Sequence, residues 1–141
     1  MYQRTYNKIF KGVTKEAIWL VWTNINSWPE WHADLDYCSM KGEFKVGNHF
    51  MLKPKGMSPV KILITEVHEG YSFTDCTVFF GAKMFDTHTL EETSEGLLLT
   101  NKLIVTGPLQ WLWVWLVAKY VADSIPEEME ALTKIAKEKH G

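Results

Sequence analysis

Cysteine is scarce in this chain: Cys38 and Cys76 are the only two, and they do not form a CxxC pair. That argues against a disulfide framework or a thiolate zinc site, and fits buried thiols in a reducing, cytoplasmic setting. A basic excess is also missing. The formal net charge is -2, and no run of like charge stands out, so a nucleic-acid partner is not expected. The longest apolar run, residues 109–118, stops at Lys119 and is too short to span a bilayer. Met1-Tyr2-Gln3-Arg4 leads into strand-like sequence and does not read as a signal peptide. GxGxxG, P-loop, GxSxG and HExxH patterns are all lacking. His32, His49, His68 and His140 have no metal-ligand spacing, no carboxylate pair fits a glycosidase dyad, and nothing calls for a cofactor or metal. Internal repeats and low-complexity segments are absent too.

What is plentiful is aromatic surface. The 141 residues include seven Trp, seven Phe and five Tyr, and a chain of that length suits one domain, residues 1–141, with a core that needs no staples. The last third organises the rest. From Leu109 to Lys139 there is no Gly and one Pro, which predicts a helix on the order of 45 Å long. Ile125, Met129, Leu132 and Ile135 form a one-sided stripe, with Glu127, Glu128, Glu130, Lys134 and Lys137 turned outward. Before Tyr120 the helix is apolar nearly all round. Trp111, Trp113 and Trp115 cannot share one face, because a step of two residues turns a helix by about 200°. Burial of two of them with the third exposed is expected, and Pro126 marks a kink in preference to a break.

Upstream, Tyr2–Lys11 reads as a strand. Thr14 caps an amphipathic helix over residues 14–25, and Ser27 caps a second short helix with Pro29 in its first turn. Strands then follow at Leu35–Lys41, Asn48–Lys55, Val60–Val67, Tyr71–Phe80, Lys83–Thr93 and Leu97–Thr106. Their short connections require antiparallel neighbours. The sheet needs a cover and the helix needs wrapping, so an α+β domain with the curved antiparallel sheet around the terminal helix satisfies both.

The last three strands make a specific prediction. If Gly81-Ala82 is a two-residue loop, Phe80 pairs with Lys83, which sets Asp75 opposite His88, Thr77 opposite Asp86 and Phe79 opposite Met84. A loop over residues 93–96 pairs Glu92 with Leu97 and sets Asn101 beside His88. The inward face then carries Phe73, Asp75, Thr77, Phe79, Met84, Asp86, His88, Leu90, Leu99, Asn101, Leu103 and Val105. Asp75, His88 and Asn101 form a polar row in an apolar wall, and Asp86 needs a partner of its own. Either the row is a satisfied structural network, or it lines a wet or ligand-filled cavity.

The stretches Thr14-Lys15-Glu16-Ala17-Ile18-Trp19, Trp28-Pro29-Glu30-Trp31-His32, Val46-Gly47-Asn48, Ile64-Thr65-Glu66-Val67, His88-Thr89-Leu90-Glu91-Glu92 and Thr106-Gly107-Pro108-Leu109 come in an order that resembles the SRPBCC or START-like superfamily of polyketide cyclases, dehydrases and lipid carriers. The resemblance covers essentially the whole chain. It implies the helix-grip fold, with a cavity between sheet and helix, and a small hydrophobic partner such as a lipid, polyketide, quinone or aromatic metabolite. It supplies no universal catalytic residue to carry over.

On this reading the cavity walls are Phe50, Leu52, Ile62, Ile64, Phe73, Phe79, Met84, Leu99 and Leu103. Trp28 and Trp31 form the rim, and Leu112, Leu116 and Tyr120 of the terminal helix form the lid. Asp75, His88 and Asn101, with Asp86 beside them, orient the polar end of a ligand. Two other readings use the same residues differently. In an enzyme of the cyclase or dehydratase type, His88 tuned by Asp75 exchanges a proton and Asn101 stabilises an oxyanion. In an interaction module, the Trp-rich helix meets a protein or a membrane surface.

Overall fold

A computed structural model describes residues 1–140. Seven strands form one antiparallel sheet: β1 Tyr2–Phe10, β2 Leu35–Ser39, β3 His49–Pro54, β4 Val60–His68, β5 Ser72–Phe79, β6 Ala82–Thr93 and β7 Gly96–Thr106. Their order across the sheet is β1-β7-β6-β5-β4-β3-β2, so only the β1–β7 contact joins strands distant in sequence. Helix α1, Lys15–Thr23, starts where the Thr14 hydroxyl accepts the Ala17 amide at 3.1 Å. The second short helix is a 3₁₀ turn, Ile25–Glu30, with Pro29 inside it. The curved sheet and the long C-terminal helix give the helix-grip architecture read from the sequence.

That helix, residues 110–140, is α-helical over Gln110–Trp113, π-helical over Val114–Ala118 and α-helical again over Lys119–His140. The irregular turn therefore lies at Val114–Ala118, and the chain stays helical through Pro126. Two apolar clusters lie beneath the helix. One joins α1 and the 3₁₀ turn to Phe50, Ile62, Ile64, Phe73, Leu90, Leu99, Ile125 and Met129. The other joins Met84, Leu103 and Val105 to Val114, Ala118 and Ala122.

The lid residues are placed differently from expectation. Leu112, Leu116 and Tyr120 are exposed, as are Trp111 and Trp115; the helix faces the sheet with the small residues Val114, Ala118 and Ala122 instead. Small side chains let the helix sit close to the strands, which leaves the bulky ones on the outer side. Of the three tryptophans Trp113 turns furthest toward the sheet, stacking on Phe79 with ring centroids 4.4 Å apart and donating Nε1–H to the Phe80 carbonyl at 2.8 Å, while Trp111 stays exposed with its ring edge-on to Tyr2 of β1 at 6.4 Å.

The β5–β6 register also differs. Phe79 pairs with Ala82, so the loop is Phe80-Gly81, and Asp75 lies opposite Asp86 while Phe73 lies opposite His88. The reason is that the left-handed backbone falls at the second loop position, where Gly81 has φ 74°. Tertiary packing fixes it there: the Leu109 amide donates to the Gly81 carbonyl at 2.9 Å, and a Cβ on Gly81 would sit 2.7 Å from the Leu109 side chain. A slide of two residues preserves which face each side chain occupies. Phe73, Asp75, Thr77, Met84, His88, Leu90, Leu99, Leu103 and Val105 are accordingly all buried. The β6–β7 register has His88 opposite Asn101 and Glu92 opposite Leu97, as expected.

Candidate functional site: a polar band between two apolar clusters

Along β5 the inward residues run Phe73, Asp75, Thr77 and Phe79; along β6 they run Met84, Asp86, His88 and Leu90; along β7 they run Leu99, Asn101 and Leu103. In each strand an apolar residue of one cluster is followed by polar residues and then by an apolar residue of the other. The polar positions step diagonally across the sheet, Asp75 opposite Asp86 and His88 opposite Asn101, and separate the two clusters.

The band has contributions from outside the sheet. Glu128 on the C-terminal helix accepts from the Ser124 hydroxyl at 2.6 Å and faces His32, whose Nε2 lies 2.9 Å from the carboxylate. Within the band the Asn101 amide donates to Asp86 Oδ1 at 3.3 Å, and His88 Nε2 stands 3.6 Å from Asp86 Oδ2, an ion-pair distance too long for a hydrogen bond. His88 stacks on Phe73, centroids 4.2 Å apart and planes 7° from parallel, with the edge of Trp22 against it at 5.4 Å. Asp75 is 7% exposed and His88 8%. Beside Asp75, β4 carries a bulge between Ile64 and Glu66, and the extra residue, Thr65, donates its hydroxyl to the Thr74 carbonyl at 3.2 Å.

The electrostatics follow from burial. Loss of water, and then the facing Asp86 charge, hold the Asp75 carboxyl well above the usual carboxylate range. Burial also raises Asp86, against the opposing pull of His88 and the Asn101 hydrogen bond. Two carboxyl groups on facing positions of a desolvated core cannot both ionise cheaply, so the charge of each opposes ionisation of the other. The buried atoms His88 Nδ1, His32 Nδ1 and Trp31 Nε1 have no hydrogen-bond partner. Each such group costs about 1–3 kcal/mol when desolvated and unpaired.

The structure brings together Asp75, Asp86, His88 and Asn101, but the partner of His88 on the neighbouring carboxylate is Asp86, and Asp75 faces Asp86. Phe50, Ile62, Ile64, Phe73, Met84, Leu99 and Leu103 are buried around them, with Leu52 and Phe79 half-buried. Trp28 and Trp31 are not a rim: both are buried, and the Trp28 indole donates to the Trp22 carbonyl at 3.0 Å. Two clefts open to solvent lie elsewhere. One, of about 210 Å³, runs between Arg4 and Tyr6 of β1 and Ala122 to Pro126 of the helix. The other, of about 410 Å³, lies among Val13 to Glu16, Glu92 and Leu97.

Sequence reasoning missed His32, Ser124 and Glu128. A signal for Glu128 was present, since it follows Ile125 by three residues on the buried stripe and Ser124 by four. His32 had none beyond its place next to Trp31. Among the described residues no three His, Cys, Asp or Glu side chains converge as a metal group.

The sequence matches no protein-family model and no curated protein sequence. Solved structures do match over nearly the whole chain. A Mesorhizobium loti protein, MLL2253, is 15% identical over 99% of this chain and 100% of its own, with a TM-score of 0.73. Norcoclaurine synthase from Thalictrum flavum, solved in complex with dopamine and hydroxybenzaldehyde, is 12% identical over 99% of this chain and 90% of its own, at 0.67. The di-domain ARO/CYC protein StfQ of the steffimycin biosynthetic pathway is 10% identical at a TM-score of 0.76, and the match spans 97% of this chain but 51% of StfQ. At such identities the likeness is one of fold. The helix-grip architecture is therefore common to this chain, norcoclaurine synthase and StfQ. No helix among the described residues is long and apolar enough to cross a membrane.

Proposed function

We propose that the protein binds or carries a small, mainly hydrophobic molecule with one hydrogen-bonding centre, held between the sheet and the C-terminal helix. The polar band carries this reading. Two raised carboxyls and the unpartnered His88 Nδ1 cut through a core that Leu or Phe would otherwise fill. Such a band weakens the fold, and a ligand hydroxyl or carbonyl meeting Asp75, Asp86, His88 and Asn101 supplies the missing partners while its hydrocarbon portion packs on Phe73, Leu99, Met84 and Leu103. Apolar burial contributes about 25 cal/mol per Å² before the costs of association. The His32–Glu128 and Lys139–Glu30 contacts join the region of the 3₁₀ turn to the C-terminal helix. Dopamine and hydroxybenzaldehyde, the molecules held by the Thalictrum flavum synthase of the same fold, each join an aromatic ring to hydrogen-bonding groups. Titration with a naphthol, a long-chain fatty acid and a naphthoquinone, read by the Trp31 indole and His88 ring NMR signals, tests the reading. Saturable shifts of both signals with one class are expected. Saturation confined to the surface clefts near Arg4 or Lys15, or no shift with any class, counts against it.

A catalytic reading draws on the same groups, because paired carboxyls with raised values beside an imidazole form an acid–base set. There a protonated carboxyl donates to a ligand oxygen, and His88 works with Asp86 in place of Asp75. Turnover of a bound ligand that stops in His88→Ala while binding persists separates this reading from simple carriage.

A further inference from the structure

The end of the molecule around the β5–β6 loop presents apolar side chains that the band does not use. Phe80 at the loop tip is 84% exposed, and on the neighbouring helix Trp111 and Trp115 are 64% and 63% exposed. Leu112, Leu116 and Tyr120 are exposed beside them. The spacing of four between Trp111 and Trp115, and between Leu112, Leu116 and Tyr120, stacks these residues in two columns on one side of the helix.

Loop and helix are locked to each other, so the patch is one platform. Trp113 holds the Phe80 carbonyl and stacks on Phe79, the Leu109 amide holds the Gly81 carbonyl, and a Cβ on Gly107 would lie 2.5 Å from the Gly81 oxygen. A rigid, exposed phenylalanine on a hairpin tip costs solvation without adding to the core.

Charge indicates what covers the patch. The chain as a whole is acidic, yet residues 78–85 and 96–122 contain no Asp or Glu, and their only charged residues are Lys83, Lys102 and Lys119. Lys119 lies over the rings of Trp115 and Tyr120, 5.8 and 4.9 Å from their centroids. The next acid along the helix, Asp123, is paired with Arg4 at 3.1 Å. Tryptophan and tyrosine with flanking lysine is the composition that settles at the headgroup level of a bilayer, with rings toward the acyl boundary and ammonium groups toward lipid phosphate.

We propose that this end of the protein docks on an anionic lipid bilayer, with Phe80, Trp111 and Trp115 inserting and Lys83 and Lys119 meeting lipid phosphates. The docking is peripheral and independent of what occupies the polar band. Flotation of the full chain with phosphatidylcholine vesicles, with and without phosphatidylglycerol, tests it. The wild type is expected to float with the anionic vesicles and to be released by added salt. Trp115→Ser and Phe80→Ser, both at exposed positions, each lower the bound-to-free ratio about tenfold or more at unchanged thermal stability. Lys119→Glu lowers binding to the anionic vesicles by about fivefold or more and leaves the weak binding to neutral vesicles unaltered. Failure of the wild type to float with either vesicle overturns the proposal. So does a dimer in sedimentation that Trp115→Ser dissociates with no effect on flotation, since the patch then belongs to a second copy of this chain.

Discussion

Asp75→Asn replaces a buried ionisable group with a neutral one of the same shape, and its effect on stability has a definite sign. In the wild type, burial and then the Asp86 carboxylate hold Asp75 above its ordinary value. A carboxyl with a higher value in the folded than in the unfolded chain binds more protons when folded. Its favourable contribution is complete below about pH 4, the unfolded value, and is lost as pH rises through the folded one. The loss has a slope of up to about 1.4 kcal/mol per pH unit for one carboxyl. Asp86 is raised as well, so it acts in the same direction. Asparagine carries no charge, and its amide faces Asp86 across the strand pair as a donor. Denaturant titrations of wild type and variant at pH 4, 5.5 and 7 make the comparison. Wild-type stability is expected to fall over that range, the variant curve to be flatter, and the variant to be the more stable at pH 7 by up to about 4 kcal/mol, about three pH units at that slope. A wild-type profile that does not fall with pH, or a variant that is less stable at pH 7, refutes the reasoning.

Gly107→Ala forces a side chain into a backbone with φ 108° and against the Gly81 carbonyl; thermal or chemical denaturation is expected to show a loss on the order of 2–5 kcal/mol. Burial pushes the Cys38 thiol up to about 12, so a disulfide reagent at mildly alkaline pH is expected to modify Cys38 only at the rate of unfolding. Rapid stoichiometric labelling of Cys38 in the native protein contradicts that burial.

The order of elements was legible because alternation of period two and short loops leave an antiparallel meander as the simplest arrangement, and the apolar tail needs its concave side. The inward face was legible for a stronger reason. A slide of two residues between β5 and β6 moves Asp75 from opposite His88 to opposite Asp86 without turning either side chain to the other face. Which partner each group meets was not readable, because the loop position is set by Gly81 against Leu109 and Gly107, contacts made nearly thirty residues away. The rotation of the C-terminal helix before Tyr120 escaped for two physical reasons. A segment apolar all round has no periodic stripe, and the π turn at Val114–Ala118 changes the phase between the two halves of the helix. Leu112, Leu116 and Tyr120 therefore fall outside, where size and hydrophobicity alone would have put them inside. Glu128 shows the converse: an acidic residue in a stripe was assigned to solvent, although the helix places it toward His32.

Native mass spectrometry of the purified protein bears most directly on the polar band as a binding site. The wild type is expected to retain, or take up from the titrated probes, a single small apolar molecule, and His88→Leu, which fills the imidazole's place with hydrocarbon, is expected to lose it while remaining folded. A wild-type spectrum at the bare chain mass in the presence of every probe class, or a His88→Leu protein that holds the same molecule equally well, contradicts a ligand role for the band.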